Sequence, residues 1–199
     1  VCGPKAVYAF LVKPESLHVC STKWSQHFGE LPGWNLIFCK PSKTTPDSQL
    51  RWFQYRLLYR LLPTKKSLYL FKLDDSALCT FCGMEEETIP HLFWNCQRVQ
   101  IFWLAVQNWL KGRCTNCATL TLSETVVILG VANNFRSDRV TDLIFLLTKF
   151  HIYKCRLQES LPDIHTFIRL VRHHIMKSNG ADAIAGNRLK FMLEWLPYE

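Results

Sequence analysis

The feature that most constrains this chain is a run of four metal-type residues with the pattern C-x2-C-x8-H-x4-C. It reads Cys79-Thr80-Phe81-Cys82-Gly83, then eight residues between Cys82 and His91, then His91-Leu92-Phe93-Trp94-Asn95-Cys96. Two cysteines two residues apart place both thiolates on one tight turn. A glycine directly after the second can take a positive φ and let backbone N–H groups point at the sulfurs. That is half of a tetrahedral zinc site, and His91 and Cys96 supply the other half. Thr88 reads as an N-cap and Pro90 fits a first helical turn, where an N–H is unpaired in any case. Residues five apart lie about 140° round an ideal helix, so His91 and Cys96 cannot share one straight helical face. An irregularity near Asn95-Cys96 is therefore expected. Four protein ligands close the coordination shell, whereas a hydrolytic zinc keeps one position for water, so the expected cofactor is one structural Zn2+. The competing reading is an accidental grouping among nine cysteines.

The sequence of 199 residues, 48% of them apolar, has material for a packed core in one domain or two small ones. Its apolar runs are short and broken, so no membrane span is expected, and no signal peptide opens it. Beginning at Val1 fits a piece of a longer polypeptide. An odd number of cysteines without a secretory signal points to a reducing compartment with thiolates available to metal. The net charge of +8 is uneven. Residues 40–72 carry Lys40, Lys43, Arg51, Arg56, Arg60, Lys65, Lys66 and Lys72 against Asp47 alone. A basic stripe beside a metal motif is an electrostatic footprint for phosphate, although a solvated charged face would look the same.

Residues 1–40 mix short apolar runs with Pro4, Pro14, Pro32 and a Leu31-Pro32-Gly33 turn. They read as short helices or strands in an irregular lead-in, anchored on the core by Trp24 and Trp34. Thr45-Pro46-Asp47 starts a helix with Thr45 as the cap candidate and Pro46 at the first position. Its apolar stripe is Leu50, Phe53, Leu57, Leu58 and Leu61, and Pro63 ends it. The opposite face carries Trp52, Arg56 and Arg60 in one row and Arg51, Tyr55 and Tyr59 in the next. Aromatics interleaved with arginine stack on bases while the guanidiniums grip phosphate. The alternative is that the aromatics pack on a neighbouring helix and the arginines only snorkel.

Phe71-Lys72-Leu73-Asp74-Asp75 is one residue too long for the aromatic-x-Asp-Asp turn of a polymerase and reads as a plain turn. Glu85, Glu86 and Glu87 suit the positive end of the helix after them. Val99, Phe102, Trp103, Val106, Trp109 and Leu110 form the core stripe of a helix that Gly112 ends. Cys114 and Cys117, with His151 and Cys155, could make a second zinc site, but no glycine comes after the pair and its halves lie far apart. Thr125 to Val131 is a strand or a short helix. Val140, Leu143, Ile144, Leu147, Phe150 and His151 read as a helix with Arg139, Lys149, Lys154 and Arg156 at or near its surface. Pro162-Asp163 opens another, with Ile164, Phe167, Ile168, Val171 and Ile175 inward and Arg169, Arg172, His173 and Lys177 outward. Ser178-Asn179-Gly180 is a stop signal ahead of a last amphipathic segment from about Asp182 to Trp195.

Cys79-x2-Cys82-Gly83, Glu87-Thr88, His91-Leu92-Phe93, Cys96 and Phe102-Trp103 together resemble the zinc-binding segment after the polymerase domain in the reverse-transcriptase protein of LINE-type (non-LTR) retrotransposons. Upstream, the run Leu50 to Arg60 with Leu62-Pro63-Thr64 is similar to the segment preceding those cysteines. Ile128-Leu129-Gly130, Lys149-x2-Ile152-Tyr153-Lys154-x-Arg156, Pro162 and Phe167 are similar to the segment on their C-terminal side. The resemblance covers about residues 20–196 and is specific around Cys79–Trp103. It implies service to a parent RNA-directed DNA polymerase with endonuclease during target-primed reverse transcription, in a nuclear and cytoplasmic ribonucleoprotein.

The expectation is a mainly α fold of five to seven helices around one core, with a CCHC zinc-stapled turn between helices. Residues 1–44 are the lead-in, 45–111 the basic helix and zinc-binding segment, and 112–199 a C-terminal helical region. Zinc ligands are Cys79, Cys82, His91 and Cys96. Arg51, Trp52, Tyr55, Arg56, Tyr59, Arg60, Lys65 and Lys66 are the candidate nucleic-acid contacts. Partners are RNA or DNA and the upstream polymerase domain, with no membrane and no small-molecule substrate. No nucleophile–base pair or phosphate-cradling glycine loop is present, so catalysis is not expected of this fragment. The competitors are a zinc-folded scaffold for protein partners and a decayed element fragment without function.

Overall fold

The computed structural model describes residues 14–29, 33–111, 122–130 and 139–182. Among them the chain is helical: α1 (Pro14–Phe28), α2 (Trp34–Thr44), α3 (Ser48–Leu58), α4 (Lys65–Leu70), a π-helical turn (His91–Asn95), α5 (Gln97–Lys111), α6 (Glu124–Leu129), α7 (Arg139–Leu157) and α8 (Ile164–Asp182). That is one α-helix more than the sequence patterns predict. The extended pairing among these residues is an isolated antiparallel bridge, Leu78 to Glu86.

Helix α3 lies at the centre because its stripe is apolar at helical spacing. Leu50, Phe53, Leu57 and Leu58 are all buried, and α3 packs on α2, α6 and α7. Phe53 meets Phe93 of the π turn edge-on at 6.1 Å and Phe150 of α7 at 5.4 Å. Burying each large apolar side chain contributes roughly 1.5–3 kcal/mol, so this one helix carries a substantial share of the core. On α5, Val99, Phe102, Trp103, Val106 and Leu110 are buried as their spacing requires. The indole N–H groups that this burial takes from water are matched: Trp24 Nε1 donates to Leu58 O at 2.7 Å and Trp103 Nε1 to Phe93 O at 2.8 Å. Trp24 thereby anchors α1 on α3, as expected of the lead-in, and Trp34 packs partly buried against the same core.

The ambiguous run after Thr125 is helical. Val126, Val127, Ile128 and Leu129 are all buried, which accounts for an apolar run without a polar face, and Gly130 at φ 72° ends it. On α8, Phe167 and Val171 face inward while Arg169, Arg172 and His173 are exposed. The side chains of Val140, Ile175 and Lys177 lie outside the described residues, as do Gly112 and the segment toward Trp195.

Several expectations are corrected. The cap of α3 is Asp47, whose Oδ1 accepts from Gln49 N at 2.8 Å and Leu50 N at 3.3 Å; Thr45 instead closes α2 and accepts from Asp47 N. The helix stops at Leu58, before Pro63, because Arg60 adopts φ 56° and the chain turns back: Leu61 N donates to Arg56 O and Arg60 N to Leu57 O. That reversal shifts the register, leaving Leu61 exposed and burying Leu62. Helix α8 continues through Ser178-Asn179-Gly180 to Asp182. Lys149 and Arg156 are buried in α7 rather than at its surface, because each has polar partners inside.

Candidate metal centre and the adjoining basic face

The segment 77–87 is a short hairpin. Cys79 N donates to Glu85 O and Glu87 N to Ala77 O, both at 2.8 Å, so the tip Thr80–Met84 is a tight loop. Within it Phe81 N donates to Cys79 Sγ at 3.4 Å, and Gly83 sits at φ 64° with Gly83 N bonded to Cys79 O. A Cβ added at Gly83 would meet nothing within 4 Å, so the glycine answers a backbone conformation and not a lack of room.

The other two ligands come from the π turn. Thr88 caps it, accepting from His91 N through Oγ1 at 3.1 Å. Cys96 N then donates to His91 O at 2.9 Å, a bond across five residues. This wider turn brings Cys96 over His91, which a straight α-helix would hold about 140° apart. The irregularity expected at Asn95-Cys96 is therefore the device that closes the site.

The ligand atoms of Cys79, Cys82, His91 and Cys96 all lie within 4.8 Å of one another. Cys79 Sγ and Cys96 Sγ are 3.9 Å apart, and Cys82 Sγ and His91 Nε2 3.4 Å. Tetrahedral zinc with bonds of about 2.3 Å to sulfur and 2.0–2.1 Å to nitrogen spaces its ligands by about 3.8 Å (S to S) and 3.6 Å (S to N). The donor set and its spacing fit one structural zinc ion. Cys79, His91 and Cys96 are buried and Cys82 half-buried. His91 directs Nε2 at the sulfurs, and its buried Nδ1 lies 3.2 Å from Oε2 of the exposed Glu85 carboxylate, a close contact without hydrogen-bond geometry. The hydrogen bond that the Cys79 thiol donates to Cys96 Sγ pushes the Cys79 pKa up, with burial adding to it, and the same hydrogen bond draws Cys96 down. A divalent cation satisfies both as thiolates.

Behind the hairpin sits a residue whose role the sequence does not disclose. Glu87 is completely buried. Its Oε1 accepts from Lys65 N at 2.8 Å and Arg156 Nε at 2.9 Å; its Oε2 accepts from Thr80 N at 3.1 Å and Thr80 Oγ1 at 2.9 Å. One carboxylate thus ties the metal loop to the start of α4 and the end of α7. Among three consecutive acids this one does not serve as a solvated charge at a helix end. Glu86 does remain exposed, paired with Lys66 Nζ at 2.6 Å.

The candidate nucleic-acid residues divide among three places. Arg51, Trp52, Tyr55, Arg56 and Tyr59 share the outer side of α3 or its cap, with Arg51 Nη2 donating to Pro46 O at 3.0 Å. Trp52 is 59% exposed, while Tyr55, Arg56 and Tyr59 are half-buried. Arg60 leaves this row: its left-handed backbone sends the guanidinium over the Trp24 ring, 4.9 Å from the centroid. Lys65 and Lys66 sit on α4.

His151 and Cys155 approach to 3.5 Å between Nε2 and Sγ, with His151 set between the rings of Phe102 and Phe167. Burial lowers the His151 pKa and raises that of Cys155. Cys114 and Cys117 lie outside the described residues. Asp74 accepts from Ser76 N and closes a turn, as its spacing suggested. Among the described residues no helix is long and apolar enough to cross a membrane.

Geometry alone defines a helical module stapled by a Cys3His centre. Residues 17–103 match the family described as zinc-binding in reverse transcriptase, which supports a reverse-transcriptase-associated zinc-binding region in that part of the chain. No curated protein matches the chain.

Proposed function

We propose that this chain is the non-catalytic, zinc-stapled nucleic-acid-binding module of a LINE-type (non-LTR) retrotransposon reverse transcriptase, holding template RNA or target DNA during target-primed reverse transcription. The parent protein would supply polymerase and endonuclease, and the assembly would be a nuclear and cytoplasmic ribonucleoprotein. The observation that carries the reading is the outer side of α3. Exposed Trp52 shares that side with Arg51 and Arg56, within a stretch that carries eight cations and one acid. The metal centre stands behind it through the π turn, whose Phe93 packs on Phe53 of the same helix. The zinc, closed by four ligands, positions this surface and takes no substrate.

The test is binding of the zinc-loaded chain to RNA and DNA oligonucleotides between about 50 and 200 mM salt. Affinity should fall with a log–log slope of roughly −2 or steeper, and the double variant Arg51→Glu/Arg56→Glu should flatten it. Salt-insensitive binding, or none, overturns the reading.

A second reading has its own observation. Tyr69, Leu70, Phe71 and Leu73 are 51%, 69%, 74% and 73% exposed at the end of α4, more apolar surface in one short stretch than a solvated helix end requires. It suits a scaffold that docks on the parent polymerase domain. Phe71→Asp with Leu73→Asp should then abolish association with that domain while leaving nucleic-acid affinity within about twofold.

A further inference from the structure

Four rings form a ladder from the core to the surface. Phe38 of α2 lies 5.0 Å from Tyr59, Tyr59 lies 4.3 Å from Tyr55, and Tyr55 lies 5.2 Å from Trp52 at an interplanar angle of 10°. Its inner end is fixed, since Phe38 and Tyr59 pack against the buried core. Its outer end is Trp52, the most exposed tryptophan among the described residues; Trp24 and Trp103 are 0% and 1% exposed. Stacking on Tyr55 covers one side of the indole and holds its plane, which leaves the other side facing water. Tertiary packing gives no reason for this, because the core stripe of α3 lies on the opposite side.

Trp52 shares the outer side of α3 with two arginines. Arg51 precedes Trp52 and is exposed, with one of its five N–H donors used by Pro46 O. Arg56 comes one helical turn later, and along the chain the stretch 40–72 contains Asp47 as its single acid, with its carboxylate turned to the α3 cap. An exposed π surface on a helix that also carries Arg51 and Arg56 matches a base together with the phosphates of its strand. A duplex keeps its base faces stacked inside and offers only backbone and groove edges, so it cannot use the indole.

We infer that the open face of Trp52 is a stacking platform for an unpaired base, which makes the partner of this surface a single-stranded nucleic acid gripped at its phosphates by Arg51 and Arg56. The inference rests on the nucleic-acid reading proposed for α3 and narrows it. No bond in the strand is made or broken, and the platform is prepared by the ladder behind it.

The experiment compares the zinc-loaded chain with fluorescein-labelled single strands, RNA and DNA, against the corresponding duplexes and against an abasic strand of the same length. Single strands should bind more tightly than duplexes. Trp52→Ala should lose roughly 5- to 100-fold for base-bearing single strands, Trp52→Phe should lose less, and neither should change binding to the abasic strand. Zinc content and the thermal midpoint should stay unchanged in both variants, since the side chain is exposed. Equal affinity for single strands and duplexes, with Trp52→Ala silent and Arg51→Glu/Arg56→Glu harmful, would overturn the platform and leave nucleic-acid binding standing. Absence of binding to every strand would overturn both.

Discussion

Arg156 Nε and Glu87 Oε1 meet at 2.9 Å beneath the surface, the arginine side chain 7% and the glutamate 0% exposed. Each ion would be costly there alone. Glu87 is satisfied by four donors from three segments, so the pair joins the metal loop to the far end of α7.

Removing one member of this pair should therefore cost more than removing both. Arg156→Met leaves a buried carboxylate without its counter-ion and should destabilise by about 3–5 kcal/mol. Adding Glu87→Gln should recover part of that loss. Urea unfolding of the two single variants and the double variant, zinc-loaded throughout, gives the coupling directly. Strict additivity would show that the pair is not a unit.

Elemental analysis should find one zinc per chain. Cys96→Ser should fall below that stoichiometry and lose the cooperative thermal transition, because the π turn depends on the closed site and Phe93 and Trp103 depend on the turn. Cys155→Ser should retain the full complement. Zinc lost in both variants would place Cys155 in a metal site.

Lys149 gives a pH dependence. Complete burial, assisted by Lys40, pushes its pKa down to about 7, with Asp142 opposing. Its amine donates to Gln54 Oε1 at 2.6 Å and reaches Ile128 O at 3.4 Å, so the neutral form places both its protons. The folded pKa lies below the unfolded one, so above a pH of about 7 the unfolded chain binds more protons and this group's contribution rises with pH. The slope is at most about 1.4 kcal/mol per unit, up to the unfolded pKa of about 10.4. Cys155 and Tyr153, both raised by burial, act in the opposite sense at alkaline pH. The difference between wild type and Lys149→Met isolates the lysine: the variant's advantage should be largest at about pH 6 and shrink by about pH 9. A constant difference would mean that the amine does not titrate in this range.

The left-handed positions make a paired prediction. Gly83→Ala should weaken the metal loop by about 1–2 kcal/mol through backbone strain alone, and Gly83→Asn by less. Lys72, at φ 58° and exposed, should gain by about 0.5–1 kcal/mol on change to Gly. Arg60→Gly should gain less, since it forfeits the contact with Trp24. Chemical denaturation of the zinc-loaded variants ranks all four.

The staple and the helical stripes were legible because they rest on local rules. Ligand spacing fixed Cys79, Cys82, His91 and Cys96, and the 3.6-residue period fixed the inner sides of α3 and α5. Helix ends were not legible, because α3, α4 and α7 close through Arg60, Lys72 and Glu159 in left-handed conformation where the rules look for glycine. Burial of Glu87, Lys149 and Arg156 was equally hidden, since the side-chain partners that join Glu87 to Arg156 and Lys149 to Gln54 lie 69 and 95 positions away. The basic face was half legible: the residue types on α3 were evident, but the departure of Arg60 toward Trp24 stems from one backbone angle.

The π turn ties the length of the chain to two separate demands. Deleting one residue between His91 and Cys96 would restore ordinary α-helical spacing to the ligands. It would also rotate everything after it by about 100° and turn Val99, Phe102 and Trp103 away from the core. Inserting one would keep neither the ligands nor the stripe. Exposed Asn95 can therefore change its identity while the count of residues there cannot, and the segment between His91 and Cys96 should accept a substitution at this exposed position but no insertion or deletion.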